Sequence, residues 1–411
     1  MDLCKECNGN NRWYWCKPCN SNHFKNNFCK WTSGNEIIDK FIQDAQLNAN
    51  WYKKVIEWMP YNRFKDIKEI SKGGFCTIYY AKNGKLEVVL KKFDNFVKLN
   101  EEFLNEVAIH LKTIDTASSI LIYGITKDPE TNEYIMVLEY MPDGNLRDYL
   151  KNHFDNINWN DKLFLLFEIA YNFRGFHNLD IVHQDFHPGN ILLDNLKVSL
   201  HISDFGLSKI VGQNLENSKK RIIFGVLPYI APEVLCGEEY TKAADVYSFG
   251  MIAYELITGF APYYDMPHDR NLALQICDGL RPKIPFHIPK LITRIIMRCW
   301  DARVAHQPTF EELGEKLDKS YKDYKENDFK NKNEITIQIN YARKFSKRLT
   351  NTTIINYKTH PEAIYTSRLL NYSSLPKPKN DENFEKKLEE ITTSVLSVFA
   401  SGPTNMCVPD S

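Results

Sequence analysis

Residues 183–206 read HQDFHPGNILLDNLKVSLHISDFG and decide how the rest of the chain is read. His183, Asp185 and Asn190 fall in one short run, and Asp204-Phe205-Gly206 follows shortly after. Two carboxylates and an amide at this spacing suit phosphoryl transfer. That chemistry asks a protein for charge placement more than for covalent participation. One carboxylate must stand beside the attacking hydroxyl. A second carboxylate and an amide oxygen must hold a divalent cation against the phosphates.

This stretch resembles the catalytic loop and the magnesium loop of the eukaryotic protein kinases. Other motifs of that family stand around it in the expected order. Val88-Val89-Leu90-Lys91 resembles the V-A-I-K strand, and Glu106 in FLNEVAIHLK is placed as its helix partner. Tyr134 to Leu150 resembles an adenine-binding hinge, Ala231-Pro232-Glu233 the close of the activation segment, and Asp245 to Gly250 the D-x-x-S-x-G helix. The resemblance covers roughly 61–320 and leans, through L-R-D-Y-L and a C-W after G-L-R-P, toward the tyrosine-kinase-like branch.

The resemblance implies an α+β bilobal kinase fold, with a small β-rich N-lobe and a larger helical C-lobe. It implies ATP and Mg2+ as cofactors and a protein substrate. Asp185, Lys91, Asn190 and Asp204 would be catalytic, with Asn190 and Asp204 holding magnesium. Gly73, Gly74, Ile78, Val89, Lys91, Glu106, Leu138 (the gatekeeper), Glu139, Met141 and Leu192 would form the nucleotide site. The implied function is transfer of the ATP γ-phosphate to Ser/Thr, or Tyr, of proteins in intracellular signalling. The alternative is a pseudokinase scaffold with weak or no catalysis.

The chain departs from the family pattern at several positions. Of G-x-G-x-x-G only the middle glycine, Gly73, remains between Ser71 and Cys76, which narrows the backbone's approach to phosphates. Val89 replaces the alanine of V-A-I-K. Gln184 stands where H-R-D has an arginine, and an amide offers no charge to an activation-segment phosphate at Ser208 or Ser218. Gln307 replaces the usual arginine partner of Glu233, so either another cation, such as Arg303, serves there or the glutamate is more solvated. His187 occupies a position where a lysine is common, and H-x-D-x-H-P-G-N also occurs in small-molecule phosphotransferases of the same fold. Those lack the A-P-E close that this chain has. His187 is read as a positioning or core-capping residue, His177 and His201 as packing histidines.

The 411 residues carry 52 basic and 52 acidic side chains, so no global field draws nucleic acid or an anionic surface. No apolar run reaches the roughly 18 residues of a membrane span. A soluble, intracellular and cytoplasmic protein is expected, with its ten cysteines as thiols or metal ligands.

Four of them form two C-x2-C pairs, Cys4/Cys7 and Cys16/Cys19, the spacing of a structural Zn2+ ribbon or knuckle. It would span 1–34, with a hairpin carrying Trp13 and Tyr14. Exposed Trp13, Trp15 and Lys17 could stack on single-stranded nucleic acid, although binding protein is the commoner use of such a knuckle. Residues 35–60 read as a helical linker, with Ser33-Gly34 as the start signal, and 61–320 as the kinase domain. Residues 321–411 read as a largely flexible tail. Within it, Phe384, Leu388, Ile391, Val395 and Phe399 form an amphipathic helical stripe suited to docking on self or a partner protein. Sequence alone does not name the substrate or pathway, the oligomeric state, or the choice among Ser, Thr and Tyr.

Overall fold

The computed structural model describes residues 2–8, 10–11, 15–73, 76–93, 99–116, 119–194, 199–211, 223–326, 333–349, 358–372 and 374–400. They form two compact units, Met1–Gly144 with Ile191–Ser208, and Asn145–Asn190 with Lys209–Ser411.

The first unit is built on a six-stranded sheet in the order Glu57–Trp58, Ile122–Lys127, Tyr134–Glu139, Leu86–Phe93, Cys76–Asn83, Phe64–Lys72. Strand alternation sorts its side chains. Val88, Leu90, Ile135 and Val137 face one core with Met59, Phe64 and Ala81. Val89, Met136 and Leu138 face the other, against Phe103 and Val107 of the Leu99–Thr113 helix. Lys91 therefore points to the helix side and Lys92 away from it. Lys92 pairs with Asp128 and Glu133, each at 2.9 Å.

The Glu36–Asn48 helix adds Ile38 and Ile42 to the helix-side core. Its cap is Asn35, immediately after the Ser33-Gly34 signal, whose Oδ1 accepts the Ile37 amide at 2.9 Å. The chain then adds the short strand Glu57–Trp58 parallel to Ile122–Lys127, with Glu57 opposite Gly124. A Cβ at Gly124 would lie 2.0 Å from the Glu57 carbonyl oxygen, so only glycine admits this strand.

Ahead of it, Asp2–Leu3 pairs with Asn10–Asn11, and a helix spans Lys17–Lys25. The Trp15 indole donates to the Ala49 carbonyl at 3.1 Å, and Ser21 Oγ to the Leu47 carbonyl at 3.1 Å. Trp15, expected to be exposed, is half-buried and anchors the knuckle to the end of the Glu36–Asn48 helix. Trp13 and Tyr14 lie outside the described residues.

The second unit is helical. Trp159–Asn178, Lys242–Thr258 and Phe310–Glu326 enclose Phe173, Phe186, Phe249 and Phe310. Gly250 lets the Lys242–Thr258 helix approach Trp300; a Cβ there would meet Cys299 and the indole at 2.8 Å.

The tail is more ordered than its composition suggests. Glu334–Leu349 is a helix with Ile335, Ile339 and Ala342 buried, and its Gln338 Oε1 accepts the Leu291 amide at 3.1 Å. Residues 358–381 run across the second unit. His360 donates its amide to the Tyr264 carbonyl at 2.8 Å, and Lys379 donates its amide to that of Cys277 at 3.0 Å. Between these anchors, Arg368–Leu370 pairs antiparallel with Ile223–Gly225. Main-chain pairing of this kind leaves no trace in hydropathy, so the expectation of a largely flexible tail fails here. A final helix spans Phe384–Ala400, with Phe384 buried; nothing is described of the side chains of Val395 and Phe399.

Candidate functional site

In the first unit, Lys91 Nζ lies 2.6 Å from Glu106 Oε1 and 2.7 Å from Asp204 Oδ1. Lys91 is 4% exposed and Glu106 fully buried, whereas the Asp204 side chain is 40% exposed. Burial opposes charge on Lys91, but the Asp204 and Glu106 carboxylates outweigh it and hold the ammonium's pKa above its ordinary value. The helix spacing explains the arrangement: Phe103, Glu106, Val107 and His110 share one face, so the turn that packs the core also presents the carboxylate. His110 stands 3.8 Å from Glu106 Oε1 and meets the Phe205 ring edge-on at 4.8 Å.

Asp204 sits in the left-handed region, φ 64°, a costly conformation for a non-glycine residue and one that clusters at functional sites. A Cβ at Gly206 would lie 3.2 Å from Glu106 Oε2, so a larger residue would press on the same carboxylate. On the neighbouring strands, Val89 pairs with Leu138 and Val88 with Glu139. Leu138 and Met141 are buried, and Leu192 packs against the same core. Ile78 lies opposite Lys91 in the register, and Gly73 donates its amide to the Cys76 carbonyl at 2.8 Å. Gly74 lies outside the described residues.

In the second unit the turn at His183 and Gln184 hangs from Asp245. Its Oδ2 accepts the His183 amide at 3.0 Å and the His177 Nε2–H at 3.0 Å, and its Oδ1 the Gln184 amide at 3.4 Å. His177, read from sequence as mere packing, is thus the side-chain partner that orients Asp245. Its distance along the chain, in a different helix, gives no motif to find it by. Gln184 takes φ 67°, so the chain reverses sharply just before Asp185. Asn190 Nδ2 donates to the Asp185 carbonyl at 2.9 Å, tying the two functional side chains into one turn.

His187, read from sequence as a positioning or core-capping residue, is buried beside Asp185. Its Nδ1 accepts the Gly189 amide at 3.0 Å, which leaves the proton on Nε2. That Nε2 lies 3.6 Å from Asp185 Oδ1 and 3.2 Å from Ser367 Oγ.

Arg303 does not serve Glu233. It forks onto Asp301, with Nη2 at 2.8 Å, and pairs with Glu385. Glu233, 3% exposed, has no hydrogen-bonding side chain at either carboxylate oxygen among the described residues. Burial pushes it up to about 7, against its own backbone amide and the charge of Arg281, which favour the carboxylate. Activation-segment Ser218 lies outside the described residues; Ser208 is buried.

Near the N-terminus the sulfurs of Cys4, Cys7, Cys16 and Cys19 all lie within 4.8 Å of one another. The Cys4–Cys19 separation is 3.8 Å and the Cys7–Cys16 separation 3.5 Å. Tetrahedral zinc with bonds of about 2.3 Å requires sulfurs about 3.8 Å apart. The donor set fits that ion. Backbone amides of Glu6 and Cys7 lower the Cys4 thiol to about 7, whereas the crowded neighbouring thiols raise Cys19, so without a cation the four are not all thiolates.

Residues 64–317 match the family model for protein tyrosine and serine/threonine kinases. The chain is 33% identical over 287 residues to a serine/threonine-protein kinase/receptor of Acanthamoeba polyphaga mimivirus, covering 68% of this chain and 17% of that one. It is 27% identical over 276 residues to a serine/threonine-protein kinase of Dictyostelium discoideum, covering 65% and 20%. It is 28% identical over 261 residues to a tyrosine-protein kinase of Girardia tigrina, covering 61% and 52%. The chain thus spans a fifth or less of the first two. No described helix is long and apolar enough to cross a membrane.

Proposed function

The chain belongs to the protein tyrosine and serine/threonine kinase family, and from that premise we propose that it transfers the γ-phosphoryl group of ATP to hydroxyl groups of protein substrates, chiefly serine and threonine. The observation that carries this reading is the buried Lys91–Glu106 pair with Asp204 on the same ammonium. A fixed cation beside a half-exposed carboxylate is the provision a triphosphate and its metal need. It survives here despite the depleted glycine loop.

In this reading Lys91 holds the α and β phosphates, and Glu106 keeps its ammonium in place. Carboxylate and amide oxygens suit a hard cation; the family resemblance assigns that role to Asp204 and to the amide oxygen of Asn190, and magnesium would supply charge neutralisation at the transferring phosphate. Asp185 accepts the proton of the acceptor hydroxyl, positioned through Asn190 and the Asp245 anchor. Val89, Leu138, Met141, Ile78 and Leu192 enclose the adenine, the main chain at Glu139 and Met141 meets its polar edge, and Gly73 lies over the phosphates.

The names of the relatives support the serine/threonine preference. The four cysteines hold a structural zinc, which joins the N-terminal turns to the Lys17–Lys25 helix. The knuckle and the Phe384–Ala400 helix remain surfaces for protein partners, in an intracellular, cytoplasmic setting. A thermal shift with ATP, with and without Mg2+, tests the nucleotide site. A magnesium-dependent rise that Asp204→Asn removes is expected; an identical rise in the variant contradicts the assignment.

A further inference from the structure

Ser367 lies 180 positions beyond His187 in the chain, yet its hydroxyl sits on the catalytic-loop carboxylate. Ser367 Oγ is 2.6 Å from Asp185 Oδ2 and 3.2 Å from His187 Nε2. The hydrogen-bond directions are fixed by the neighbours. His187 Nδ1 accepts the Gly189 amide, so Nε2 carries the proton and donates to Ser367 Oγ. The hydroxyl is then left to donate its own proton to Asp185 Oδ2. This is the protonation pattern an attacking hydroxyl needs before a general base.

The segment that brings Ser367 there is held on both sides. Arg368, Leu369 and Leu370 pair with Gly225, Phe224 and Ile223 as a two-stranded antiparallel ribbon, the main-chain pairing by which an extended peptide can be held. Upstream, the Tyr365 carbonyl accepts from Arg147 Nη1 at 2.5 Å, and the Tyr365 ring lies 5.1 Å from that guanidinium. The Tyr365 hydroxyl donates to the Pro262 carbonyl at 2.9 Å. His268 Nδ1 lies 3.1 Å from the Ile364 amide and 2.9 Å from the Ile364 carbonyl, and the Arg368 guanidinium donates to the His268 carbonyl. These ties cover the residues on either side of one serine, which alone reaches Asp185.

We propose that Ser367 is an intramolecular phosphoacceptor: the tail is this kinase's own substrate, held in the acceptor position and occupying the place of an external peptide. The proposal rests on the kinase reading above. In the step, Ser367 Oγ forms a bond to the γ-phosphorus of magnesium-bound ATP. The bond from that phosphorus to the β–γ bridging oxygen breaks, ADP leaves, and the Ser367 proton passes to Asp185 Oδ2. The phosphoserine product places a dianion against the Asp185 carboxylate. Like-charge repulsion then disfavours the docked strand, so phosphorylation releases the tail and opens the acceptor position to other proteins.

The test uses the full chain. Wild-type protein, freed of phosphate by phosphatase, is incubated with MgATP over a hundredfold range of protein concentration, with a generic protein acceptor in a parallel arm. Mass spectrometry reads Ser367. The expected result is phosphate on Ser367 with a half-time independent of concentration. Amide exchange without nucleotide supplies a second readout: residues 368–370 should exchange at least tenfold faster in Ser367→Asp than in wild type. Transfer to the generic acceptor with Ser367 unmodified overturns the proposal and leaves the kinase reading standing. A half-time that lengthens on dilution overturns the intramolecular assignment, and unchanged exchange in Ser367→Asp overturns the release step. Transfer to no acceptor at all overturns the kinase reading itself.

Discussion

Lys91 Nζ stands 2.6 Å from Glu106 Oε1, a pair almost wholly removed from solvent. Glu106 Oε2 has no hydrogen-bond partner among the described residues, so the pair's geometry rests on one short contact. Removing Lys91 leaves the Glu106 carboxylate in the core without its cation, whereas Lys91 without Glu106 keeps Asp204 at 2.7 Å. Lys91→Met should therefore destabilise the fold by on the order of 3–5 kcal/mol. Adding Glu106→Gln to that variant should restore much of the loss. Denaturant titration of the two single variants and the double variant checks this; additive losses would show the two side chains to be uncoupled.

Glu233 supplies a pH dependence whose sign is fixed. Its carboxyl is raised from 4.5 to about 7 in the fold by burial. Between those values the unfolded chain has released the proton that the folded chain still holds. This contribution to stability is thus present below pH 4.5, declines as pH rises, and is fully lost above about 7. The span corresponds to roughly 3 kcal/mol at 1.36 kcal/mol per unit. Glu233→Gln should be more stable than wild type at pH 8 and show a flatter profile between pH 5 and 7.5. Parallel profiles for the two proteins would contradict the assignment.

The four N-terminal thiols predict one equivalent of zinc in freshly purified, reduced protein. Cys16→Ser should lose most of it. It should also loosen the Lys17–Lys25 helix from the Glu36–Asn48 helix, read as faster exchange at the amides of 17–25. Elemental analysis finding no zinc in the wild type sinks this part of the account.

Gly124→Ala should displace the Glu57–Trp58 strand, since the added Cβ would sit 2.0 Å from a backbone oxygen that cannot swing aside. A loss of about 1–3 kcal/mol is expected from the overpacking. The amide of Met59, which donates to the Ile125 carbonyl at 2.9 Å, should lose its exchange protection. Retained protection at Met59 would show that the strand re-forms around the methyl group.

The motif chemistry was legible in the sequence because phosphoryl transfer dictates residue identity: a lysine, a glutamate, two aspartates and an asparagine in set order. The strand of Lys91 and the β-rich first unit came from the family resemblance of Val88 to Lys91; strand alternation then accounts for the face on which Lys91 stands. What sequence did not yield were relations carried by the backbone or by distant partners. His177 reaches Asp245 from another helix, Arg303 is taken by Asp301 and Glu385, and Trp15 is spent on the Ala49 carbonyl. The tail is the clearest case. Residues 358–381 are polar and proline-rich, which composition reads as solvated chain. Their order comes from amides and carbonyls of His360, Glu362, Tyr365 and Lys379, and backbone groups look alike in every sequence.

The most direct test of the central claim is phosphate transfer from γ-labelled ATP by the full chain to an added protein acceptor, wild type beside Asp185→Asn. Asp185 accepts the acceptor's proton in this account, so the variant should retain its melting transition and its magnesium-dependent nucleotide binding. Its transfer rate should fall by at least a hundredfold, within the range a positioned general base contributes. Transfer by Asp185→Asn at the wild-type rate, or none by freshly purified wild type, would contradict the account.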